Sequence, residues 1–433
     1  MLKIIDSILW ATATVMIVYS GIYYTFKLKF VQFNFKQMIK NFRKKSNSVI
    51  TPFESLMMVL GGRIGVGSIA GIALAICLGG VGSIFWMWVI GFISASNAFA
   101  ETVLGVKYRE KDEQNIYKGG PSYYLKNGLK NNSLGRIYAY IIVVSQILGF
   151  LSIQSNTITK SITNFINIKP LLIGLIIMVL SLLIFSHGTK RIFKVSSKLV
   201  PIMTLIYLVT SLVIIIGNLN LIPLVFKTII KEAFNFKALG FGVLGTMIVG
   251  IQRGIFSNEA GLGTGAIAAS TVETDFPASQ GYVQIIGIYI TTFLICTATA
   301  LVILTSDATI ISSNLNGIEI TQSAFISHLG NFGNIIVVLS IILFSFSTIL
   351  SGYYDAQSNL KFLTKINNRK IFLLKLVSCI ILLISSIMKA NVIWQIVNIL
   401  TAILAIINIY AIMKLKKDVI YELRRYKECD KIK

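Results

Sequence analysis

Charge is scarce in this chain. Of its 433 residues only 13% are Asp, Glu, Lys or Arg, about half the share of an ordinary soluble domain. Acids are rarer still, 17 against 40 basic residues, which leaves a formal charge of +23. The apolar share is 55% and the mean hydropathy +0.77. A soluble protein of this size would have to hide too much apolar surface, so the class is an all-α polytopic membrane protein. The four cysteines, Cys77, Cys296, Cys379 and Cys429, have no metal or CxxC spacing, which argues against a disulfide scaffold and a zinc site. Two histidines, His187 and His328, are too few and too isolated for a metal centre. No Walker A motif is present, so ATP is not the expected energy source. No nucleophile–base pair or paired carboxylates stand in a loop, so no catalytic residue and no cofactor is assigned. A basic chain can bind nucleic acid, but these cations sit in short clusters between apolar spans, the pattern of cytoplasmic loops. Membrane lipid and a small solute are the expected partners, and the oligomeric state is not legible.

About 20 mostly apolar residues make one transmembrane helix. That rule predicts about eleven, near 5–26, 54–78, 83–106, 138–160, 170–187, 199–217, 240–270, 281–305, 333–360, 371–388 and 391–413. The first stretch is long enough to span and lacks a small-residue cleavage pattern, so it reads as a helix rather than a signal peptide. Cations in the loops after spans one, three, five and nine, and in the tail, fall on one side. Examples are Lys36, Arg109, Arg191, Lys361 and Arg424. That side is expected to be cytoplasmic, with the N-terminus outside. The loop 218–238 fits less well, since it carries Lys227 and Lys231.

Two glycine-rich stretches interrupt spans. The first is Gly61-Gly62-Arg63-Ile64-Gly65-Val66-Gly67-Ser68-Ile69-Ala70-Gly71. The second runs Arg253-Gly254-Ile255-Phe256-Ser257-Asn258-Glu259-Ala260-Gly261-Leu262-Gly263-Thr264-Gly265. A break frees backbone N–H and C=O groups that lipid cannot satisfy, and a matched pair of breaks is the mark of a secondary transporter's central site. With the first helix set aside as peripheral, the breaks fall in the first and sixth of ten core helices. That is a five-plus-five inverted repeat, with segments 1–46, 47–217, 218–414 and 415–433.

A half-helix starting near Ser68 would aim free N–H groups and a positive dipole end at the gap, a setting for a carboxylate. Close packing through Gly67 and Gly71 is the other reading of the first stretch. In the second, Arg253 and Glu259 are costly charges inside the membrane, and a structural ion pair holding the kink is the favoured reading. Gln154 and Asn156 are buried amides that need partners, either substrate or another helix. Glu101 is expected to pair with Lys107 or Arg109. Phe85, Trp86, Met87 and Trp88 read as lipid-facing or packing side chains.

The strings Gly79-Gly80-Val81-Gly82-Ser83-Ile84-Phe85-Trp86-Met87-Trp88, Gly119-Gly120-Pro121-Ser122-Tyr123-Tyr124, Gln154-Ser155-Asn156, Arg253 to Gly265, and Ile295-Cys296-Thr297-Ala298-Thr299-Ala300-Leu301 carry a resemblance. Together they resemble the alanine or glycine:cation symporter family, in order, over roughly residues 50 to 360. The resemblance implies a leucine-transporter-type fold and import of a small neutral amino acid, such as alanine or glycine, with Na+ by alternating access in a bacterial inner membrane. It implies substrate contacts at Arg63, Gly65, Val66, Gly67, Ser68, Gln154, Phe256, Ser257 and Gly352. It also implies a sodium shell of the Gly62 and Ile64 carbonyls with the Ser347 and Thr348 hydroxyls, the all-oxygen set a hard cation needs. For Ser347 and Thr348, back-bonding to their own helix stays open.

The chain departs from the family at several of these places. Arg63 and Val66 stand where the family usually has Thr, Ser68 where it has Asn, Thr291 where it has Asp, and Gly352 where it has Trp. Two readings of Arg63 follow. Its guanidinium replaces the substrate-linked Na+, since a fixed cation binds carboxylate and repels a second cation; or it points away, to Glu54, Glu101 or water. The first makes a sodium-independent or proton-coupled carrier, and the departures at Arg63, Ser68 and Thr291 together suggest an amino-acid sensor without flux; these are the alternatives to symport. Gly352 is expected to widen the pocket beyond glycine and alanine.

Overall fold

The computed structural model describes residues 2–44, 49–112, 115–235, 242–311, 315, 317–364 and 368–432. The expected segment boundary at residue 46 lies outside them. Apolar chain in lipid must satisfy its own backbone, and the described residues do so as helices. They are α1 (Leu2–Lys27), α2 (Phe35–Phe42), α3 (Pro52–Arg63), α4 (Val66–Gly79), α5 (Ser83–Lys107), α6 (Asn132–Thr163), α7 (Pro170–Phe185), α8 (Gly188–Gly217), α9 (Ile222–Ala233), α10 (Gly242–Asn258), α11 (Thr264–Ala269), α12 (Pro277–Leu304), α13 (Ile318–Leu363), α14 (Asn368–Ser385), α15 (Ala390–Lys414) and α16 (Lys416–Ile432). A two-stranded hairpin, β1 (Glu110–Lys111) and β2 (Tyr117–Lys118), follows α5, with Glu110 opposite Lys118.

Among the described residues eight helices are long and apolar enough to cross a membrane: α1, the α3–α4 pair, α5, α6, α8, α12, α13 and α15. The other three expected spans fall on α7, which is a shorter apolar helix, on the α10–α11 pair and on α14. In the first span a third of the residues are buried, against 89% in the α3–α4 span. So α1 is peripheral and the first broken helix is central. α1 lies against α15 and α5; α5 packs on α10 and α12; α8 packs on α3 and α13. α13 bends at Gly330, whose φ of 60° and ψ of −146° leave the helix.

Among the described residues, three helices of eight residues or more occupy stretches expected as loop or tail: α2, α9 and α16. Hydropathy passes over them because α2 and α9 are too short to span, at 8 and 12 residues, and α16 is too charged. α16 is tied down by Lys107, which meets Asp418 at 2.7 Å and Glu422 at 3.4 Å. Its Tyr426 hydroxyl accepts from Asn41 of α2 at 2.7 Å.

Candidate functional site

The first break is short. Thr51 and Glu54 form a capping box that starts α3, with Pro52 at the first helical position, where its missing N–H costs nothing. The helix stops at Arg63; Ile64 and Gly65 are non-helical, and α4 restarts at Val66. The half-helix thus begins two residues before the expected Ser68. Gly65 is required by crowding: a Cβ there would sit 2.4 Å from Thr348 Oγ1 and 3.2 Å from Gln154 Nε2. Gln154 Oε1 accepts from the Val66 N–H at 3.3 Å, so its amide covers one of the first free donors of α4.

The second break is longer, spanning 259–263 between α10 and α11. Gly261 and Gly263 have φ of 95° and 86°, and Glu259, a non-glycine, has φ of 53°. Neighbouring helices satisfy the freed carbonyls. Asn408 of α15 donates to Gly261 O at 2.8 Å and Tyr138 of α6 to Leu262 O at 2.5 Å. Asn258 Oδ1 accepts from the Ala260 N–H at 3.0 Å.

The two breaks meet through hydroxyls. Ser68 Oγ lies 2.9 Å from Ser257 Oγ, and Ser257 Oγ lies 3.0 Å from Cys296 Sγ of α12. Thr299 donates to Ser68 O at 3.0 Å and pairs with the Tyr207 hydroxyl at 2.7 Å. Phe256 roofs this cluster. Its ring stacks on Phe150 at 5.6 Å and tilts against Trp394 at 5.1 Å, while a Cβ on Gly67 would come within 3.0 Å of it. In the sequence reading Cys296 and Thr299 enter only through the cysteine count and a family string, and Tyr207, Phe150 and Trp394 not at all; none is a site candidate there. Their signal was weak, since a lone polar or aromatic residue in an apolar span does not say which neighbour it faces.

A second oxygen-rich set lies on the other side of Gly65. Ser347 and Thr348 of α13 donate to Gly61 O at 3.1 and 2.8 Å, and Thr348 reaches Gly62 O at 3.4 Å. Both also bond back to Phe344 O, at 2.8 and 3.1 Å, which is the back-bonding to their own helix. Gly61 joins the set, whereas the described bonds of the two hydroxyls do not include Ile64. Two carbonyls and two hydroxyls converging from different helices suit a hard cation. Among the described residues no group of three His, Cys, Asp or Glu side chains has a metal-binding arrangement.

The description of the sodium:alanine symporter family matches this chain from residue 1 to 433. The chain belongs to that family. The probable sodium/glutamine symporter GlnT of Bacillus subtilis is 35% identical over 98% of this chain and 89% of its own length. The sodium/alanine symporter AgcS of Methanococcus maripaludis is 32% identical over 99% and 97%. Among solved structures, a Na+-coupled sialic acid symporter in an outward-open state superposes with a TM-score of 0.55, at 11% identity over 88% of this chain and 82% of that one. The Eremococcus coleocola manganese transporter gives 0.53, at 13% identity over 84% and 78%. These two support the fold alone, which is the leucine-transporter type expected from the motifs.

Within this symporter fold several side chains go elsewhere than expected. Arg63 is buried and leaves the first break toward α11 and α12: Nη1 lies 3.3 Å from Gln284 O. Cβ atoms on Gly265 and Gly287 would meet its Nη2 and Nη1 at 2.6 and 2.7 Å. Those two glycines make room for the guanidinium, and Glu101 and Glu259 are the carboxylates whose charge reaches it. Arg253 and Glu259 do not pair. Arg253 lies over the Trp394 ring at 5.0 Å with Asp6 as the acid whose charge reaches it, and Glu259 accepts from Thr264 at 2.6 Å. The kink is therefore held by separate contacts rather than by one ion pair. Glu101 pairs with neither Lys107 nor Arg109; it lies in the core and accepts from Asn408 at 2.8 Å. Asn156 donates to Ser385 O and Met388 O at 3.0 and 2.7 Å, so it joins α6 to α14 rather than facing a solute. Gly352 packs on Gln146 and Leu151, at 2.7 and 2.9 Å from a built Cβ. The space opposite it is filled by those side chains. Thr291 is buried, and Cys296 is the α12 residue that reaches Ser257. Trp86 and Trp88 pack as expected, donating to Ala233 O at 3.1 Å and Thr297 Oγ1 at 2.8 Å.

Proposed function

We propose that this protein is a Na+-coupled symporter that imports a small neutral amino acid by alternating access. The observation that carries this reading is the Ser68–Ser257 contact at 2.9 Å, where both interrupted helices meet beside the N–H groups that open α4. A carboxylate suits that helix end, and the Gln154 amide oxygen on Val66 N stands where one oxygen of an amino acid would bind. Val66, Gly67 and Ser68 would hold the carboxylate, Gly65 would let Gln154 approach, and Ser257 and Phe256 would close over the solute. Phe256 clamped between Gly67, Phe150 and Trp394 favours a compact solute of the alanine or glycine class. The relatives named for alanine and glutamine support an amino acid cargo, and Na+ would sit between the Gly61 and Gly62 carbonyls and the Ser347 and Thr348 hydroxyls. In the same reading the chain repeats as 47–217 and 218–414. Its N-terminus faces outward, and its cationic loops face the cytoplasm of a bacterial-type cell.

Arg63 distinguishes this from a sodium-independent carrier. Its course toward Gln284 favours a structural role over replacement of Na+. The test is uptake of radiolabelled alanine, glycine and glutamine by proteoliposomes, in sodium and with sodium replaced by choline. Uptake of alanine that falls at least tenfold in choline supports the reading, as does retained sodium dependence in Arg63→Thr. Equal uptake in choline would overturn sodium coupling, and binding of alanine without flux under any ion gradient would favour a sensor.

A further inference from the structure

Away from the breaks, two adjoining hollows on the side of the cationic loops share one residue, Arg43. The first is an apolar groove of about 630 Å³ between α2 and the middle of α12. Its walls are Phe35, Met38 and Phe42 on α2 and Ile290 and Leu294 on α12, with Phe92 of α5 at the inner end. Arg43 is the one charged side chain in that lining. The second hollow is polar and contains Lys40, Arg43, Lys44, Tyr426 and Asp430. Asp430 is engaged by Lys40 and Gln37. Among the described residues, Arg43 and Lys44 form no ion pair.

The groove has the dimensions and chemistry of one leaflet. From Ile286 to Leu294 the α12 wall rises about 12 Å, close to the roughly 15 Å of hydrocarbon in half a bilayer. It opens sideways: Phe35, Ile39 and Leu294 are each about half exposed, at 53%, 51% and 50%. A polar solute gains nothing in such a groove, whereas an alkyl chain entering from the membrane leaves one apolar medium for another and gains close packing. The cation excess at the rim then selects the headgroup, since Arg and Lys beside the hydrocarbon attract anionic lipid and Arg binds phosphate in bidentate fashion.

We propose that this groove binds one anionic phospholipid, with an acyl chain between α2 and α12 and its phosphate on Arg43 and Lys44. The site abuts the moving parts. Tyr289 of α12 donates to Gln32 O at 2.6 Å, tying α12 to the turn before α2. Cys296, two residues past Leu294, touches Ser257 at the second break. A bound chain would brace α12 where it meets the site.

Native mass spectrometry of the detergent-purified full chain tests this, with equimolar phosphatidylglycerol and phosphatidylcholine of identical acyl chains. One phosphatidylglycerol should be retained in preference. Arg43→Gln should lower its retention about fivefold, and Arg43→Gln with Lys44→Gln about thirtyfold, taking about 1 kcal/mol per surface cation as a factor of five. Phosphatidylcholine retention should not change in either charge variant. Ile290→Trp should lower retention of both lipids; if it does not fold, the two charge variants, which lie at the surface, decide the matter. Equal retention of the two lipids, or unchanged retention in the charge variants, would overturn the proposal. So would displacement of phosphatidylglycerol by millimolar inorganic phosphate alone, because the apolar groove would then be idle.

Discussion

Thr348→Val removes one hydroxyl and keeps the side chain's shape. Thr348 Oγ1 lies 2.8 Å from Gly61 O, 3.4 Å from Gly62 O and 3.1 Å from Phe344 O. A hydroxyl has a single proton to donate and two lone pairs, so the oxygen can serve the fold and still coordinate a cation. The structural loss is small, because Ser347 still donates to Gly61 O at 3.1 Å. One neutral hydrogen bond is worth about 1 kcal/mol. The loss of an oxygen facing a cation is larger, about 1.5–3 kcal/mol for an interaction with a charged group, which is roughly a 10- to 150-fold rise in half-saturating sodium. The assay is alanine uptake by proteoliposomes against external sodium, beside thermal unfolding of the same preparation without sodium. Thr348→Ser, which keeps the oxygen, should restore sodium affinity to within about threefold. If Thr348→Val unfolds slightly earlier yet keeps half-saturating sodium within twofold of the parent, the hydroxyl serves only the helix and the cation assignment is wrong.

Two further changes probe the second break and the hairpin. Gly263→Ala places a Cβ 2.2 Å from Pro121 Cγ and 3.0 Å from Asn408 Oδ1, at a φ of 86°. Left-handed strain of about 1–3 kcal/mol adds to overpacking of about 1–3 kcal/mol, so the folded yield by size-exclusion chromatography should collapse; normal yield with normal uptake would contradict the geometry of residues 259–263. Lys118, on β2, is 2% exposed against the Tyr354 ring. Burial, reinforced by the Lys361 charge, pushes its pKa down to about 7. Between about 7 and the ordinary lysine value the unfolded chain therefore binds more protons than the folded one, so this group makes stability rise with pH across that window. Lys118→Met should raise the melting temperature at pH 7 and flatten its climb between pH 7 and 10; an unaltered slope would refute the buried, charge-strained placement.

Much of the architecture was legible because lipid leaves few options. Apolar runs of membrane length must be helices, and glycines inside them mark where the helix lets go. That logic located both interruptions and the peripheral α1, whereas Ser257, Ser347 and Thr348 became candidates only through the family resemblance. The amphipathic α2, α9 and α16 were missed because hydropathy registers only what can span. The direction of the charged side chains was not legible either. Arg63 lies two residues from Gly65, and its sequence position fits a carboxylate clamp as well as a structural cation. Only the approach of Gly265 and Gly287, some 200 residues downstream in sequence, opens the slot that draws it toward Gln284.

The amino-acid order by itself determined the helical class, the two breaks and the family, because those depend on local composition and on strings that lie together in the chain. The tertiary structure alone decided which side chains meet: Ser257 with Cys296, Phe256 with Phe150 and Trp394, and Glu101 with Asn408. The reason is geometric. Helical periodicity states which face a residue is on, while its neighbour is set by how separate helices stack.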